Sequence, residues 1–386
     1  MASFDNSTIR KLGVIADIQY ADVEDGSDFA KTETRYYRNA LDVSRRTDFS
    51  SCHAIIQLGD IIDGKAVDHT ETATKRVIDA LDAGFTSSIP PENNNDEDKR
   101  KQDDVASRTT NNLKRPYRFD IVGNHELYCG SRSWWRENVW HHGADTNTPD
   151  AAHGSLYYSC EVADRKWRLI MLDSYVVSSL GYGDVHKTST TNEINSPPTH
   201  PKLLEAKELL RRENPMMVEA LEHPEKKIDY FKGVPLEKQR FCLYNGAFGA
   251  TQLQWLEAEL GKARENQQFV VVFTHVPIMH NPDRKDGGWR TLAWDSDRAR
   301  QILAGFKQIV VAVYGGHRHR YQHLPDEATG IQHVVVASPM LQTPADDMQC
   351  SLVLEFRDNG RITQTAPAGC TSMPASLEIA NPHVSL

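Results

Sequence analysis

The residues Ala54-Ile55-Ile56-Gln57-Leu58-Gly59-Asp60-Ile61-Ile62-Asp63 decide the fold that this sequence predicts. They combine a short apolar run, a glycine and a carboxylate, which is the pattern of a buried strand followed by a sharp turn. In open α/β sheets, ligands bind beyond the carboxyl ends of the strands. Asp60 is therefore predicted to lie at a ligand-binding edge of a sheet.

The same pattern recurs at four other places in the chain. Each apolar run ends in residues that can bind a cation through oxygen or nitrogen. The runs 14–16, 119–122, 270–274 and 309–314 lead into Asp17-Ile18-Gln19, Gly123-Asn124-His125-Glu126, His275 and Gly315-Gly316-His317-Arg318-His319. Strands that alternate with helical segments, followed by a run of strands towards the C-terminus, predict an α/β protein with two packed sheets and helices outside, an αββα sandwich.

Length and composition exclude several classes of protein. The chain has 386 residues, of which 39% are apolar and 25% charged, as in a globular protein with a substantial core. Its formal net charge of −9 argues against a nucleic-acid partner. No apolar run approaches the ~20 residues of a membrane span, so no membrane association is expected.

Cysteine usage and the N-terminal segment favour the cytoplasm. The six cysteines are scattered, with no Cys-x-x-Cys pair, which is more typical of reduced thiols than of a disulfide framework. Residues 1–11 lack the apolar core of a signal peptide. We take a monomer as the default oligomeric state.

One domain, 1–386, is predicted, with two insertions. Residues 90–112 are rich in Asn, Asp and Lys and are predicted to be a disordered insertion, because a strand pattern resumes directly after them. Residues 176–246 form a longer insertion, and the sequence leaves open whether it is a lid or surface decoration. Three tryptophans, Trp134, Trp135 and Trp140, are interpreted as packing a loop onto the core in preference to forming a nucleobase platform. Thr251 and Gln252-Leu253-Gln254 are read as a capping box that starts a helix ending at Gly261.

The polar residues at the strand ends predict a metal centre. Seven candidate ligands without a thiolate are too many for one ion and suit two: Asp17, Gln19, Asp60, Asn124, His275, His317 and His319. If Asp60 bridges, one ion takes Asp17, Gln19 and His319 and the other takes Asn124, His275 and His317. The ions would then lie ~3.5–4 Å apart. The oxygen-rich first set favours Mn²⁺ or Mg²⁺, with Fe and Zn²⁺ as alternatives.

These motifs, in this order, resemble those of the calcineurin-like metallophosphoesterase superfamily. Gln19, where most members have His, together with Asn245-Gly246 before the helix at 252–256, makes the chain similar to the manganese-dependent ADP-ribose/CDP-alcohol diphosphatases. Arg318, Arg320 and Ser338-Pro339-Met340 depart from that subfamily. The resemblance implies the αββα sandwich already indicated by the strand pattern.

The resemblance also implies an activity and residue roles. A metal-bridging hydroxide would attack phosphorus in ADP-ribose, a CDP-alcohol or a related small-molecule nucleotide, giving a nucleoside monophosphate. His125 would protonate the leaving oxygen, Asp63 would orient His125, and Phe29 and Arg35 would contact substrate.

Two alternative functions remain open at this point. The same centre could serve a phosphodiesterase or phosphomonoesterase with a cyclic nucleotide or phosphoprotein substrate. A non-catalytic scaffold is the weaker alternative, because such relatives lose ligands or the acid, and this chain has all seven ligands and His125.

Overall fold

The computed structural model describes residues 6–27, 33–86, 117–140, 148–150, 154–182, 200–223, 225–226, 228–285, 287–343, 350–367, 370 and 372–384. The predicted disordered insertion, 90–112, and the predicted substrate contact Phe29 lie outside these residues.

The first sheet contains six strands. Three come from the N-terminal part of the chain and three from its C-terminal end. Its central strands, β1 (Lys11–Ile15), β4 (Ala54–Gln57) and β5 (Tyr117–Asp120), run parallel to one another. Three antiparallel strands extend the sheet from β1: β12 (Leu352–Phe356), β13 (Ile362–Thr365) and β14 (Ser376–Ile379). The parallel strands therefore deliver the segments after β1, β4 and β5 to a common edge.

The second sheet also has six strands, and its middle is parallel. The parallel strands are β7 (Trp167–Leu172), β8 (Phe269–Thr274), β9 (Val310–Gly315) and β11 (Gln332–Val335). Antiparallel strands close both edges, β6 (Tyr158–Val162) beside β7 and β10 (Gln322–Pro325) beside β11. Every residue of β7, β8 and β9 is buried, which explains their unbroken apolar sequences. A short hairpin, β2 (Gly26–Ser27) with β3 (Thr34–Arg35), stands outside both sheets.

The two sheets pack face to face through aromatic and apolar side chains. Phe119 of β5 stacks on Tyr158 of β6, with ring centroids 6.5 Å apart. The ring centroids of Trp167 in β7 and Phe356 in β12 are 5.2 Å apart. One continuous apolar cluster includes residues of both sheets.

Helices cover the outer faces. α1 (Tyr37–Arg46) packs against α2 (Thr70–Thr86), and α7 (Gly249–Glu265) packs against α8 (Ser296–Ala304) and against β7 and β8. Two short helices, α3 (Asn124–Cys129) and α4 (Arg132–Asn138), follow β5. This arrangement confirms the predicted αββα sandwich.

The start and end predicted for α7 were wrong. The helix begins at Gly249, two residues before Thr251, because the Asp295 carboxylate accepts hydrogen bonds from the backbone N–H groups of Phe248 and Gly249, at 3.0 and 2.9 Å. Thr251 and Gln254 lie inside the helix, so they do not form the predicted capping box at its start. The amide of the intervening Gln252 binds the backbone of Asp173. Gly261 lies within the helix, which continues to Glu265.

The described parts of the 176–246 insertion are folded beside the second sheet. They contain α5 (Pro201–Glu213) and α6 (Pro215–Glu222). Leu210, Met217 and Phe241 belong to a second, smaller apolar cluster that also contains Trp294. Val177 and Ala247 pair at the base of the insertion.

The three tryptophans pack against the core as expected, with Trp134 partly buried against the same apolar cluster. Trp135 and Trp140 are 0% and 2% exposed, and the Trp135 indole donates to the Glu126 carbonyl at 2.6 Å. Among the described residues, no helix combines the length and the apolar composition that crossing a bilayer demands.

Candidate metal centre

Five loops meet at the edge where the parallel strands of both sheets end, after β1, β4, β5, β8 and β9. Backbone hydrogen bonds join them: the amide of Asp17 donates to the carbonyl of Gly59 at 3.1 Å, and that of Gln19 to the carbonyl of Asp60 at 2.8 Å. From the second sheet, the His317 amide donates to both carboxylate oxygens of Asp17 at 2.9 Å. The chain therefore fixes the loops of the two sheets relative to each other before any ligand is considered.

The first group of candidate ligands contains Asp17, Asp60 and His319, whose ligand atoms all lie within 4.8 Å of one another. His319 Nε2 is 3.6 Å from Asp17 Oδ1. Gln19 lies in this group too, with Nε2 at 3.0 Å from Asp60 Oδ2 and 3.1 Å from His319 Nε2. Its Oε1 accepts from Arg35 at 3.3 Å, so in this arrangement the Gln19 amide presents nitrogen to the group.

The second group contains Asp60, His275 and His317, again with ligand atoms within 4.8 Å of one another. His275 Nε2 lies 3.3 Å from Asp60 Oδ2, 3.3 Å from Asn124 Oδ1 and 3.2 Å from His317 Nδ1. The structure thus brings all seven predicted ligands together in two groups that share Asp60.

The donors of the second group fit a divalent cation. His275 Nδ1 lies 2.7 Å from the carbonyl of Leu58, which can only accept, so Nδ1 carries a proton. When the ring is neutral, the lone pair of Nε2 therefore points at the group. Two carboxylates, two amides and three imidazoles without a thiolate form the mixed oxygen and nitrogen set that suits Mn²⁺ and related ions.

The pKa values of these groups respond to burial and to the crowding of charges. Burial raises the pKa of Asp17 to about 8, opposed by His275 and reinforced by Asp60. For Asp60 burial acts in the same direction, but the facing His275 and His125 imidazoles outweigh it and hold its pKa below the ordinary value. Burial would lower the pKa of His275, yet the Asp60 and Asp17 carboxylates raise it to about 9.

The other two imidazoles are kept neutral. Burial lowers the pKa of His317 well below its ordinary value, and burial together with Arg35 lowers that of His319 to about 3. Neutral imidazole is the form that binds metal ions.

The backbone is strained at five of the seven candidate ligands. These non-glycine residues have positive φ angles between 47° and 68°: Asp17, Gln19, Asp60, His317 and His319. Such angles are uncommon outside glycine and cluster at functional sites.

Glycines precede three candidate ligands because there is no room for a side chain. A Cβ at Gly123 would lie 2.1 Å from Asp60 Oδ1, and one at Gly316 would lie 2.5 Å from Asp17 Oδ2. The Gly-Asn and Gly-His pairs of the sequence thus let one loop approach the carboxylate of another.

The predicted acid, His125, lies beside the shared carboxylate. Its backbone amide donates to Asp60 Oδ1 at 2.8 Å, and its ring Nδ1 accepts from the backbone amide of Gly64 at 2.7 Å. Asp63 Oδ2 is 3.3 Å from the same Nδ1 and has no hydrogen-bond partner among the described residues. Asp63 and His125 are therefore adjacent, as the sequence predicts.

Arg35, the described candidate for substrate contact, reaches both parts of the site. Its Nη1 lies 3.3 Å from Gln19 Oε1 and 3.8 Å from Asp63 Oδ2, while its buried Nε has no hydrogen-bond partner in the described part of the chain. Arg318 points away, donating to Thr291 and to the Gly288 carbonyl, both at 2.8 Å. Arg320 pairs with Glu33.

Three residues that sequence reasoning missed hold the site in place. Glu126 is fully buried and accepts from the amides of Asp60, Ile61 and Gly123 at 2.7–2.8 Å. The Tyr175 hydroxyl lies 3.1 Å from Asn124 Oδ1, and Ser338 donates to the Asp17 carbonyl at 2.6 Å. Only Glu126 carried a sequence signal, as the fourth residue of the Gly-Asn-His-Glu motif.

Comparison with known proteins supports the same interpretation. No protein-family model matches the chain. The human protein named manganese-dependent ADP-ribose/CDP-alcohol diphosphatase is 29% identical over 365 residues, covering 90% of this chain and 87% of its own length. The Xenopus laevis protein of that name is 27% identical, over 90% of this chain and 85% of its own length.

A solved structure shares the fold. The crystal structure of a dimetal phosphatase from Danio rerio superposes with a TM-score of 0.73 at 23% identity, covering 97% of this chain and all of the other. In sequence, over nine tenths of its length, this chain is similar to the manganese-dependent ADP-ribose/CDP-alcohol diphosphatases, and in fold it is similar to a dimetal phosphatase.

Proposed function

We propose that this protein is a manganese-dependent hydrolase that cleaves the diphosphate bond of ADP-ribose, CDP-alcohols or related nucleoside diphosphate derivatives and releases a nucleoside monophosphate. The observation that carries this proposal is the pair of ligand groups that share the buried carboxylate of Asp60. The relatives named for this activity align with 90% of the chain.

Each ligand group would hold one divalent cation. Asp17, Gln19, Asp60 and His319 would hold one, and Asp60, Asn124, His275 and His317 the other. Bound cations of this kind activate water as a nucleophile and neutralise charge on phosphate oxygens. Mn²⁺ is the preferred ion, with Mg²⁺, Fe and Zn²⁺ as alternatives. Gln19 would turn its amide so that Oε1, and not Nε2, faces the ion.

His125 acts as the general acid in this proposal. In the neutral ring, Nδ1 accepts from the Gly64 amide. To act as the acid the ring must be the imidazolium, which gives its Nε2 proton to the leaving oxygen and thereby becomes neutral. Asp63 Oδ2 lies 3.3 Å from Nδ1 and is ready to accept a hydrogen bond whenever the ring is cationic. Asp63 thus orients the ring and stabilises its charged form.

Arg35 recognises the substrate's phosphates. Its side chain lies between Gln19 and Asp63, and its unpaired Nε is a donor without an acceptor in the described residues. A guanidinium next to two cation sites suits a diphosphate, whose second phosphate extends past the reacting one. Phe29 remains a proposed substrate contact on the strength of the resemblance alone.

The setting of the enzyme is also a proposal. Six free cysteines fit a reducing compartment, and we expect a cytoplasmic monomer that acts on small molecules and not on nucleic acid. We further propose that residues 1–386 form a single domain carrying the 90–112 and 176–246 insertions.

A substrate panel tests the proposal directly. Metal-free protein is supplied with Mn²⁺ and offered ADP-ribose, CDP-choline, cyclic AMP and a phosphopeptide. We expect the two diphosphates to be hydrolysed fastest, with AMP and CMP as products and no turnover in EDTA. Faster turnover of cyclic AMP or the phosphopeptide would assign the centre to a different ester, and Mn²⁺-loaded protein inert on all four would favour a scaffold.

A further inference from the structure

The ring of His317 has a fixed partner on the side away from the candidate ligands. Asn245 is fully buried, and its Oδ1 lies 2.9 Å from His317 Nε2. Asn245 belongs to the end of the 176–246 insertion and is not one of the candidate ligands.

Two backbone carbonyls determine which way the Asn245 amide faces. Its Nδ2 lies 2.9 Å from the carbonyl of Arg240 and 2.8 Å from that of Arg290. Both carbonyls can only accept hydrogen bonds, so a flipped amide would set its oxygen against two other oxygens. Oδ1 must therefore face His317.

The orientation of the amide in turn determines the proton of the imidazole. Because Asn245 Oδ1 can only accept, His317 carries its proton on Nε2. The lone pair then lies on Nδ1, 3.2 Å from His275 Nε2 and in the same group as Asp60. Residues that contact a metal-binding histidine from behind set its tautomer and ring angle in this way.

We propose that Asn245 is a positioning residue for the second cation and that the end of the 176–246 insertion is a fixed part of the metal centre. The inference rests on the proposed role of His317 as a ligand. A second contact from the same segment supports it, because the Tyr175 hydroxyl beside Asn124 also lies 3.1 Å from the Tyr244 carbonyl. Asn245 thus contacts the His317 ring directly, and Tyr244 reaches Asn124 only through the Tyr175 hydroxyl, which lies between their two oxygens.

The insertion also contains a matched control. Asn214 is a buried asparagine whose Nδ2 donates to the carbonyls of Tyr230 and Phe241, at 3.2 and 3.0 Å. It ties the insertion together as Asn245 does, but it contacts none of the seven candidate ligands.

The test measures Mn²⁺ binding to the full-length protein by the electron paramagnetic resonance signal of free Mn²⁺. We expect two ions per wild-type chain and two in Asn214→Ala. In Asn245→Ala, the affinity for one of the two ions should fall about 10- to 100-fold. Asn245→Asp keeps an oxygen that accepts from His317 Nε2, so its affinity should lie closer to that of the wild type.

Each other result overturns the inference in an identifiable way. Unchanged binding in Asn245→Ala removes the positioning role and leaves the proposed function intact. An equal loss in Asn214→Ala shows that general loosening of the insertion is responsible. A wild type that binds no Mn²⁺ removes this inference and the proposed function together.

A measurement on the wild type does not depend on how the Asn245 and Asn214 variants fold. In metal-free protein with ¹⁵N-labelled histidine, long-range nitrogen–proton correlation spectra report which ring nitrogen carries the proton. We expect His317, assigned with a His317→Gln variant, to be protonated on Nε2. Protonation on Nδ1 would overturn the inference.

Discussion

The two ligand groups share a carboxylate but differ in how firmly their other side chains are held. In the second group, His275 is held by the Leu58 carbonyl, His317 by Asn245 and Asn124 by Tyr175. The side chains of Gln19 and His319 in the first group contact mainly each other, Asp60, Asp17 and Arg35.

This difference indicates that the two groups have different roles. A preorganised group loses little side-chain conformational entropy when it binds its cation, because its side chains are already in place. The first group lies next to Arg35 and can still rearrange, as the Gln19 amide must do to offer oxygen. We therefore expect the second site to determine cation affinity and the first to respond to substrate.

Removing Asp60, the proposed shared ligand, should have the largest effect because it breaks both candidate groups at once. Asp60→Ala deletes the carboxylate that belongs to both groups and leaves His275 without its facing charge. We expect loss of measurable diphosphatase activity and loss of paired Mn²⁺ binding in a direct titration. Asp79→Ala, which removes an exposed partner of Lys75, is the control. Two tightly bound ions in Asp60→Ala would exclude a shared ligand.

The role of the proposed acid, His125, should be separable from metal binding by the two ligand groups. His125→Ala is expected to keep two Mn²⁺ ions but to slow hydrolysis by about 10²–10⁴-fold for substrates with poor leaving groups. The control is His323→Ala, a half-buried histidine on the edge strand β10. Wild-type rates for His125→Ala on such a substrate would show that another group supplies the proton.

A substitution of Arg35 tests whether the first group responds to substrate. Arg35→Ala should raise KM for ADP-ribose by about 10- to 100-fold, since hydrogen bonds to charged groups contribute about 1.5–3 kcal/mol. Mn²⁺ affinity should change little, because the guanidinium is not a ligand. Arg38→Ala, which removes an exposed partner of Asp22, is the comparison. A change in Mn²⁺ affinity without a change in KM would place Arg35 in the metal centre instead.

The smallest expected effect concerns the stability of the metal-free protein. The folded state raises the pKa of Asp17 from 3.8 to about 8 and that of His275 from 6.5 to about 9. In both cases the folded chain retains a proton that the unfolded chain has released, so stability falls as the pH rises through the folded pKa.

Between pH 7 and 8.5 the free energy of unfolding in EDTA should therefore decrease by about 3 kcal/mol. Urea unfolding at the two pH values measures this decrease. With Mn²⁺ in excess it should vanish, because the cations replace the protons. A metal-free protein that becomes more stable over this range would contradict the assignment.

The sequence predicted the strands and the candidate ligands because both are encoded locally. A run such as Ile309-Val310-Val311-Ala312-Val313 is typical of a buried strand, and polar residues that follow such a strand lie at the sheet edge. Gly123 and Gly316 marked the positions where one loop comes closest to another.

What the sequence could not predict are contacts between residues far apart in the chain. Asp295, and not Thr251, binds the backbone at the start of α7, although it lies more than 40 residues further along the chain. It accepts hydrogen bonds from Phe248 and Gly249. Asn245 and Tyr175 lie in the insertion or at its base, where no periodic pattern marks a partner. The orientation of Arg318 depended on Thr291 and Gly288 for the same reason.

The left-handed backbone at Asp17, Gln19, Asp60, His317 and His319 has a consequence for engineering and for evolution. Each such residue opposes folding by roughly 1–2 kcal/mol relative to an unstrained one. Glycine at these positions would relieve that backbone strain, but the chain would lose five of its seven candidate ligands. At these five positions, selection for a less strained backbone and selection for turnover favour different residues. We expect duplicated copies that no longer need to catalyse a reaction to acquire substitutions there first.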